Sequence, residues 1–317
     1  MIVSEQFCDV GRGITLCYEE FGDPARPCAL LIMGLGVQML GWHEGFCSAL
    51  ADEGLHVLRF DNRDVGRSTH MQGAPPTVPQ LLLRSPRAAR YSLADMADDT
   101  AGLLRELDLA PAHVIGASMG GMIAQTLAAR HPRTVRSLVS IMSNTGSRVS
   151  GQPSPRLYPI FLRQPPREKA AFVEHMGRVF AVIGSHGLPQ DGEEIRAMVS
   201  ASWERDRDPE GPARQLGAIV AAGNRTRQLH SITAPTLVIH GSEDRLVPPS
   251  GGRATARAIP GARLLRIEGM GHDLPRAAWP RVIGAIAEHT RHADHLEAAR
   301  SDPPLQAPPP YVPGLQG

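Results

Sequence analysis

The stretch His113-Val114-Ile115-Gly116-Ala117-Ser118-Met119-Gly120-Gly121 joins a short apolar run to a helix-like segment that reads on to Arg130. It contains Gly-x-Ser-x-Gly at Gly116, Ser118 and Gly120. Where a strand turns sharply into a helix, a serine at the corner takes strained backbone angles, and only small residues two positions to either side tolerate the crowding. Ser118 would then stand at a helix N-terminus, where free backbone N–H groups can hold an oxyanion, with Met119 N the first donor. The same five residues also suit an ordinary turn with a capping serine. What separates the two readings is whether an acid and a histidine follow at later strand ends.

Working outward, the apolar runs Cys28–Met33, Leu55–Phe60 and Val135–Met142 read as strands buried on both faces. Thr236–His240 and Ala262–Ile267 continue the series, and Gly13–Glu20 with a shorter strand around Ile2–Cys8 forms an N-terminal hairpin. Helices are expected from about Trp42 to Glu53, from Ser92 to Leu109 with Ser92 and Asp95 as a capping box, over Gly251–Ile259 and over Pro275–His292. Residues 73–90 read as an irregular loop. Strand and helix alternation of this kind gives an α/β fold with a mostly parallel central sheet flanked by helices. The segment 145–230 interrupts it with helical patterns near Glu168–Ile183, Glu193–Asp206 and Pro209–Ala222 and no strand. The expected organisation is a core of residues 1–144 and 231–295, a helical lid at 145–230, and a Pro-rich, disordered tail at 296–317. Ligands of open α/β sheets bind at the carboxyl ends of the strands, so a lid there would cover the site.

The acid and the histidine both follow. The strand at 236–240 runs into Gly241-Ser242-Glu243-Asp244, and the strand at 262–267 into Glu268-Gly269-Met270-Gly271-His272. A serine hydroxyl is a poor nucleophile at neutral pH and needs a histidine to take its proton and a carboxylate to hold the histidine's tautomer. Ser118, Asp244 and His272 occur in the chain order Ser, acid, His, each just past a strand end. Glu243 is a rival for the acid, and His240 reads as a strand-end residue beside the site. A second oxyanion donor would come from the loop after the third strand, Met33-Gly34-Leu35-Gly36, with Leu35 N the candidate. Asp61 and Arg63, with Gly66 and Ser68, read as a network bracing neighbouring loops.

Composition narrows the function classes. The 317 residues are 42% hydrophobic and 21% charged with a formal net charge of +1 and no block of like charge, which argues against nucleic-acid partners. No run of about 18 apolar residues occurs, so no stable membrane insertion is expected. The first residues lack a signal-peptide core, from which a cytoplasmic location is expected. Cys8, Cys17, Cys28 and Cys47 lack metal-ligand spacing and read as buried free thiols. No metal or organic cofactor is implied, and the sequence says nothing about oligomeric state.

Leu31-Ile32-Met33-Gly34, Arg59 to Ser68, Gly116 to Gly121 and Gly269 to Pro275 together resemble the α/β-hydrolase family, in the branch that includes aclacinomycin methylesterase and related bacterial carboxylesterases. The resemblance spans residues 10–292 and is weakest through the lid. It implies the α/β-hydrolase fold, Ser118 as nucleophile, Asp244 as acid, His272 as base, and Leu35 and Met119 as oxyanion donors; a small-molecule ester is the expected substrate, apolar if the lid's Phe172, Met176 and Trp203 face the site. Met33 stands where many relatives carry histidine, which leaves the backbone donor and removes a polar group. Serine at 118 argues against dehalogenase and epoxide hydrolase chemistry. Lactone hydrolysis, carbon-carbon cleavage and cofactor-free perhydrolysis use the same triad and stay open, as does a non-catalytic ligand-binding role. Phe172, Met176 and Trp203, with Met33 and Gly34, are candidate pocket residues, although helix-compatible spacing equally describes a lid core.

Overall fold

The computed structural model describes residues 4–83, 85, 89–157 and 165–301. Four apolar runs form strands with every residue buried: β3 (Cys28–Ile32), β4 (His56–Phe60), β5 (Ala112–Ala117) and β7 (Thr236–Gly241). Together with β1 (Gln6–Asp9), β2 (Thr15–Phe21), β6 (Val135–Ile141) and β8 (Arg263–Ile267), they make an eight-stranded sheet among the described residues, in the order β1-β2-β4-β3-β5-β6-β7-β8. β1 pairs antiparallel with β2 and β2 antiparallel with β4, and all later pairs are parallel. Strands buried on both faces need no polar alternation, which is why these runs are mostly apolar; Arg59 of β4 is buried because it donates to Glu19 of β2 at 2.8 Å. β8 closes the edge with Arg263 and Arg266, and charge on an edge strand discourages pairing with another chain.

Register then fixes the site's position. Ile32 lies opposite Gly116, Ala117 opposite Ile141, Ile141 opposite Ile239 and Gly241 opposite Ile267. The carboxyl ends of five strands are therefore abreast, and the loops after β3, β5, β6, β7 and β8 leave from one rim.

Helices cover both faces. On one, α3 (Leu93–Glu106), α4 (Met119–Arg130) and α9 (Ser250–Ala258) pack on a cluster that includes Leu30, Val114, Ile123 and Leu138. On the other, α1 (Glu44–Ala51) and the closing helix α10 (Trp279–Ser301) pack on Leu31, Ile115, Val139 and Ile239. Side chains such as Leu30, Leu31, Leu138 and Ile239 are wholly buried, and each contributes about 1.5–3 kcal/mol of hydrophobic free energy. α3 starts on the expected capping box: Asp95 Oδ2 accepts from Ser92 N at 2.8 Å and Ser92 Oγ from Asp95 N at 3.2 Å.

Four boundaries differ from the sequence reading. Residues 73–90 contain a short helix, α2 (Val78–Leu82), because Gln80 Oε1 reaches back to Thr77 N at 2.9 Å and Pro79 occupies the first turn. α1 begins at Glu44 rather than Trp42, since His43 Nδ1 caps it by accepting from Gly45 N at 2.9 Å. The first strand is Gln6–Asp9, and residues 1–3 lie outside the described residues. The closing helix runs past His292 to Ser301, helped by Arg136, which pairs with Asp294 at 3.1 Å and Glu297 at 2.7 Å. The part of the expected tail at 296–301 is thus helical, and residues 302–317 lie outside the described residues, as do 158–164 of the Pro-rich stretch before Lys169. Between β6 and β7 the chain forms α5 (Lys169–Ile183), α6 (Gly192–Arg205), α7 (Gly211–Ala222) and a one-turn α8 (Thr226–Leu229). Among the described residues, no helix is long and apolar enough to cross a membrane. The four cysteines are buried and free, and burial raises each thiol's pKa, so none is poised as a thiolate.

Candidate active site

Ser118 sits between β5 and α4 with φ +55° and ψ −117°, backbone angles that a residue with a side chain adopts only under constraint. The constraint is visible on both flanks. A Cβ at Gly116 would lie 2.2 Å from Gly120 O, and one at Gly120 would lie 2.0 Å from Ile32 O, so neither position admits a side chain. Ser118 N still extends the sheet by donating to Ile141 O at 2.9 Å, which fixes the corner against β6.

His272 and Asp244 meet this serine. His272 Nε2 lies 2.9 Å from Ser118 Oγ and Nδ1 lies 2.7 Å from Asp244 Oδ2. An ionised carboxylate only accepts, so Nδ1 carries the proton and neutral Nε2 is left to take one from the hydroxyl. The carboxylate is itself held. Asp244 Oδ1 accepts from Leu246 N at 3.0 Å and Val247 N at 2.8 Å, and His240 Nε2, which donates to Val247 O at 2.7 Å, also lies 3.5 Å from Oδ2. Burial works against the charge on Asp244, but His272 and the bond from His240 outweigh it and hold the pKa below the usual carboxylate value. Glu243 turns elsewhere: its carboxylate faces Gly187, where a Cβ would lie 2.9 Å from Oε1.

The loop after β3 passes over the serine, with a Cβ at Gly34 only 3.1 Å from Ser118 Cβ. Along it, Asn62 Nδ2 donates to Met33 O at 3.0 Å, Val37 N to Gly34 O at 3.3 Å and Gly36 N to Gln215 Oε1 at 2.8 Å. Leu35 N and Met119 N have no acceptor among the described residues. Met33 itself packs into the apolar cluster under α1. Phe172 and Trp203 pack against each other between α5 and α6 with ring centroids 4.9 Å apart and the rings tilted by 46°, while Met176 is half-buried on α5.

Asp61 and Arg63 do brace loops, though not through each other. Arg63 forms a two-pronged pair with Asp99 of α3 at 2.6 Å, and Asp61 pairs with Arg205 of α6 at 2.8 Å. Arg205 is one of several contacts from the 145–230 segment that sequence reasoning missed. Arg214 pairs with Asp64 at 2.8 Å, Gln215 spans two loops, and Ser185 Oγ accepts from Gly271 N at 2.9 Å while also bonding Asp273. His272 N donates to Ile183 O at 2.9 Å. No periodic signal could have found these, because each joins residues far apart in sequence. Asp64, His70 and Asp208 bring metal-type donors together, but the Arg214 guanidinium already lies among them and neutralises the acids.

Comparison with known proteins agrees with this geometry. Residues 30–275 match the model of the alpha/beta hydrolase fold family. The rhodomycin D methylesterase of Streptomyces peucetius is 28% identical over 88% of this chain and 96% of its own. The pimeloyl-[acyl-carrier protein] methyl ester esterase of Chromobacterium violaceum is 28% identical over 80% of this chain and 92% of its own. Among solved structures, the enol-lactonase from Burkholderia xenovorans LB400 superposes with a TM-score of 0.69 at 23% identity, covering 90% of this chain and all (100%) of that one, a likeness of fold. With the family model spanning the sheet, the elbow and the loops that carry Asp244 and His272, the chain belongs to the α/β-hydrolase fold family.

Proposed function

We propose that the chain is a serine hydrolase that cleaves a carboxylic ester through an acyl-enzyme. The observation that carries this reading is the unbroken hydrogen-bonded line from Asp244 through His272 to Ser118, at 2.7 and 2.9 Å, with the serine in a strained elbow. Ser118 Oγ attacks the ester carbonyl as His272 Nε2 takes its proton, and Asp244 stabilises the imidazolium without itself taking the proton. The carbonyl oxygen, now an anion, falls between Leu35 N and Met119 N, which have no other acceptor among the described residues. His272 returns the proton to the departing alkoxide, leaving an acyl group on Ser118. Water then enters, gives its proton to Nε2, and releases the acid by the same steps reversed.

Two of the relatives are named methyl ester hydrolases, which supports a methyl or other small alkyl ester of a bulkier acid as the substrate class. Residues 145–230 serve as a lid over the strand ends. The half-buried Phe172, Met176 and Trp203 favour an apolar acyl group. The test is hydrolysis of methyl and p-nitrophenyl esters of graded acyl size by wild type and Ser118→Ala. Turnover that requires Ser118 supports the reading. A folded wild type that hydrolyses lactones or diketones and no ester would replace the substrate class, and binding without any turnover would replace the mechanism.

A further inference from the structure

We infer that Gln215, on the inserted segment, is a positioning residue for the oxyanion hole; this rests on the ester hydrolase reading above and adds to it. Gln215 lies in the first turns of α7, and its side chain is completely buried (0% exposed). Both ends of the carboxamide are used on main chain: Oε1 accepts from Gly36 N at 2.8 Å, and Nε2 donates to Arg63 O at 2.8 Å. The two partners belong to loops leaving neighbouring strands, β3 and β4. One needs an acceptor and the other a donor, so a carboxamide satisfies both, a carboxylate only the first, and an aliphatic side chain neither.

Gly36 is one residue beyond Leu35, the proposed oxyanion donor. The direction of Leu35 N–H depends on torsions in a loop with glycine on either side, and Gly36 has φ +67°, where a glycine-rich chain has many alternatives. The structure removes that freedom from two directions. Gly34 lies against Ser118, and Gly36 lies against Pro212 of α7, with a Cβ there only 3.1 Å from Pro212 Cβ. Gln215 supplies the only hydrogen bond that Gly36 N makes among the described residues, and its neighbour Arg214 ties the same helix turn to Asp64. The inserted segment is therefore a fixed wall of the oxyanion loop. A donor aimed at the tetrahedral oxygen strengthens binding of the transition state more than of the substrate, so loosening it costs kcat rather than KM.

The experiment compares wild type, Gln215→Leu and Gln215→Asn on the best ester, and measures the affinity of a trifluoromethyl ketone, whose Ser118 adduct carries the same oxyanion. We expect Gln215→Leu to lower kcat by about 10–100-fold and ketone affinity by the same factor, with KM changed by less than about threefold. Gln215→Asn keeps the amide but is too short for both partners. It should lose both quantities in parallel by a smaller factor, and it carries the test if the leucine variant does not fold. An unchanged kcat in either folded variant overturns the proposal, as does a loss of kcat with unchanged ketone affinity. If wild type shows no Ser118-dependent ester turnover, the ester hydrolase reading has failed and this proposal with it.

Discussion

In the sheet, Ser118, Asp244 and His272 are delivered by backbone. Parallel registers bring three strand ends abreast, and a short loop on each carries one side chain to the meeting point. The inserted segment works in the other direction: its helices reach the loops at the strand ends with long polar side chains, Arg205 to Asp61, Arg214 to Asp64 and Gln215 to two loops. The sheet therefore decides which side chains meet. The insertion decides how firmly the loops around them are held.

Substitutions can break this division or sharpen it. The largest effect is expected in the sheet, where Ser118→Ala should lower kcat by at least about 10⁴-fold in steady-state assays while the far-UV spectrum and thermal midpoint stay near wild type. Next is the choice of acid. Asp244→Asn should cost about 10²–10⁴-fold in kcat through loss of the histidine's orientation, and Glu243→Gln less than about threefold. The reverse order would show that the carboxylate facing Gly187 had been misjudged.

On the insertion side, Gln215 apart, the expected losses are of stability. Arg214 is 3% exposed and Asp64 0%, so Arg214→Met leaves a buried carboxylate without its partner and should cost about 3–5 kcal/mol by urea unfolding. Lys169→Met, which breaks the exposed pair with Glu204, should leave the urea midpoint where it is.

The regions also differ in their response to pH. Burial pushes His289, which lies on α10 with Nε2 3.2 Å from Pro235 O at the start of β7, down to about 4. An unfolded histidine takes its proton near pH 6.5, so between there and pH 4 the unfolded state binds more protons and stability falls on acidification, by about 1.4 kcal/mol per pH unit. His70 behaves oppositely. Burial alone would lower its pKa, but the bond to Gly66 O and the carboxylates of Asp206 and Asp208 raise it, so its contribution is complete below pH 6.5 and lost as pH rises through the raised value. Urea midpoints at pH 5 and pH 8 should show His289→Gln flattening the acid-side decline and His70→Gln removing a small alkaline-side one. Equal slopes in both variants would remove the distinction.

What the sequence made legible follows the same division. Buried parallel strands read as continuous apolar runs, turns after them as glycine, and the elbow as small residues around a serine, because each is a local demand of backbone geometry. Asp244 and His272 were found for the same reason: each follows its strand by a few residues. The helices of the insertion were legible from periodicity, but Gln215 and Arg214 were not marked, since a buried polar side chain on a helix looks the same in sequence whether it touches solvent or a loop 179 residues away, as Gln215 touches Gly36. α2 was missed because its signal, Thr77 with Gln80, sits in a stretch dominated by proline. Asp61 and Arg63 were read as a bracing pair, and their true partners, Arg205 and Asp99, come from elements that only folding brings near.

The central claim is that Ser118 is a nucleophile activated by His272. Its most direct test is to treat the folded protein with a fluorophosphonate and map the modified peptide by mass spectrometry. One phosphonyl group on Ser118, absent in Ser118→Ala and formed far more slowly in His272→Ala, is the result expected. Labelling of another residue, or no labelling of a folded protein, would contradict it.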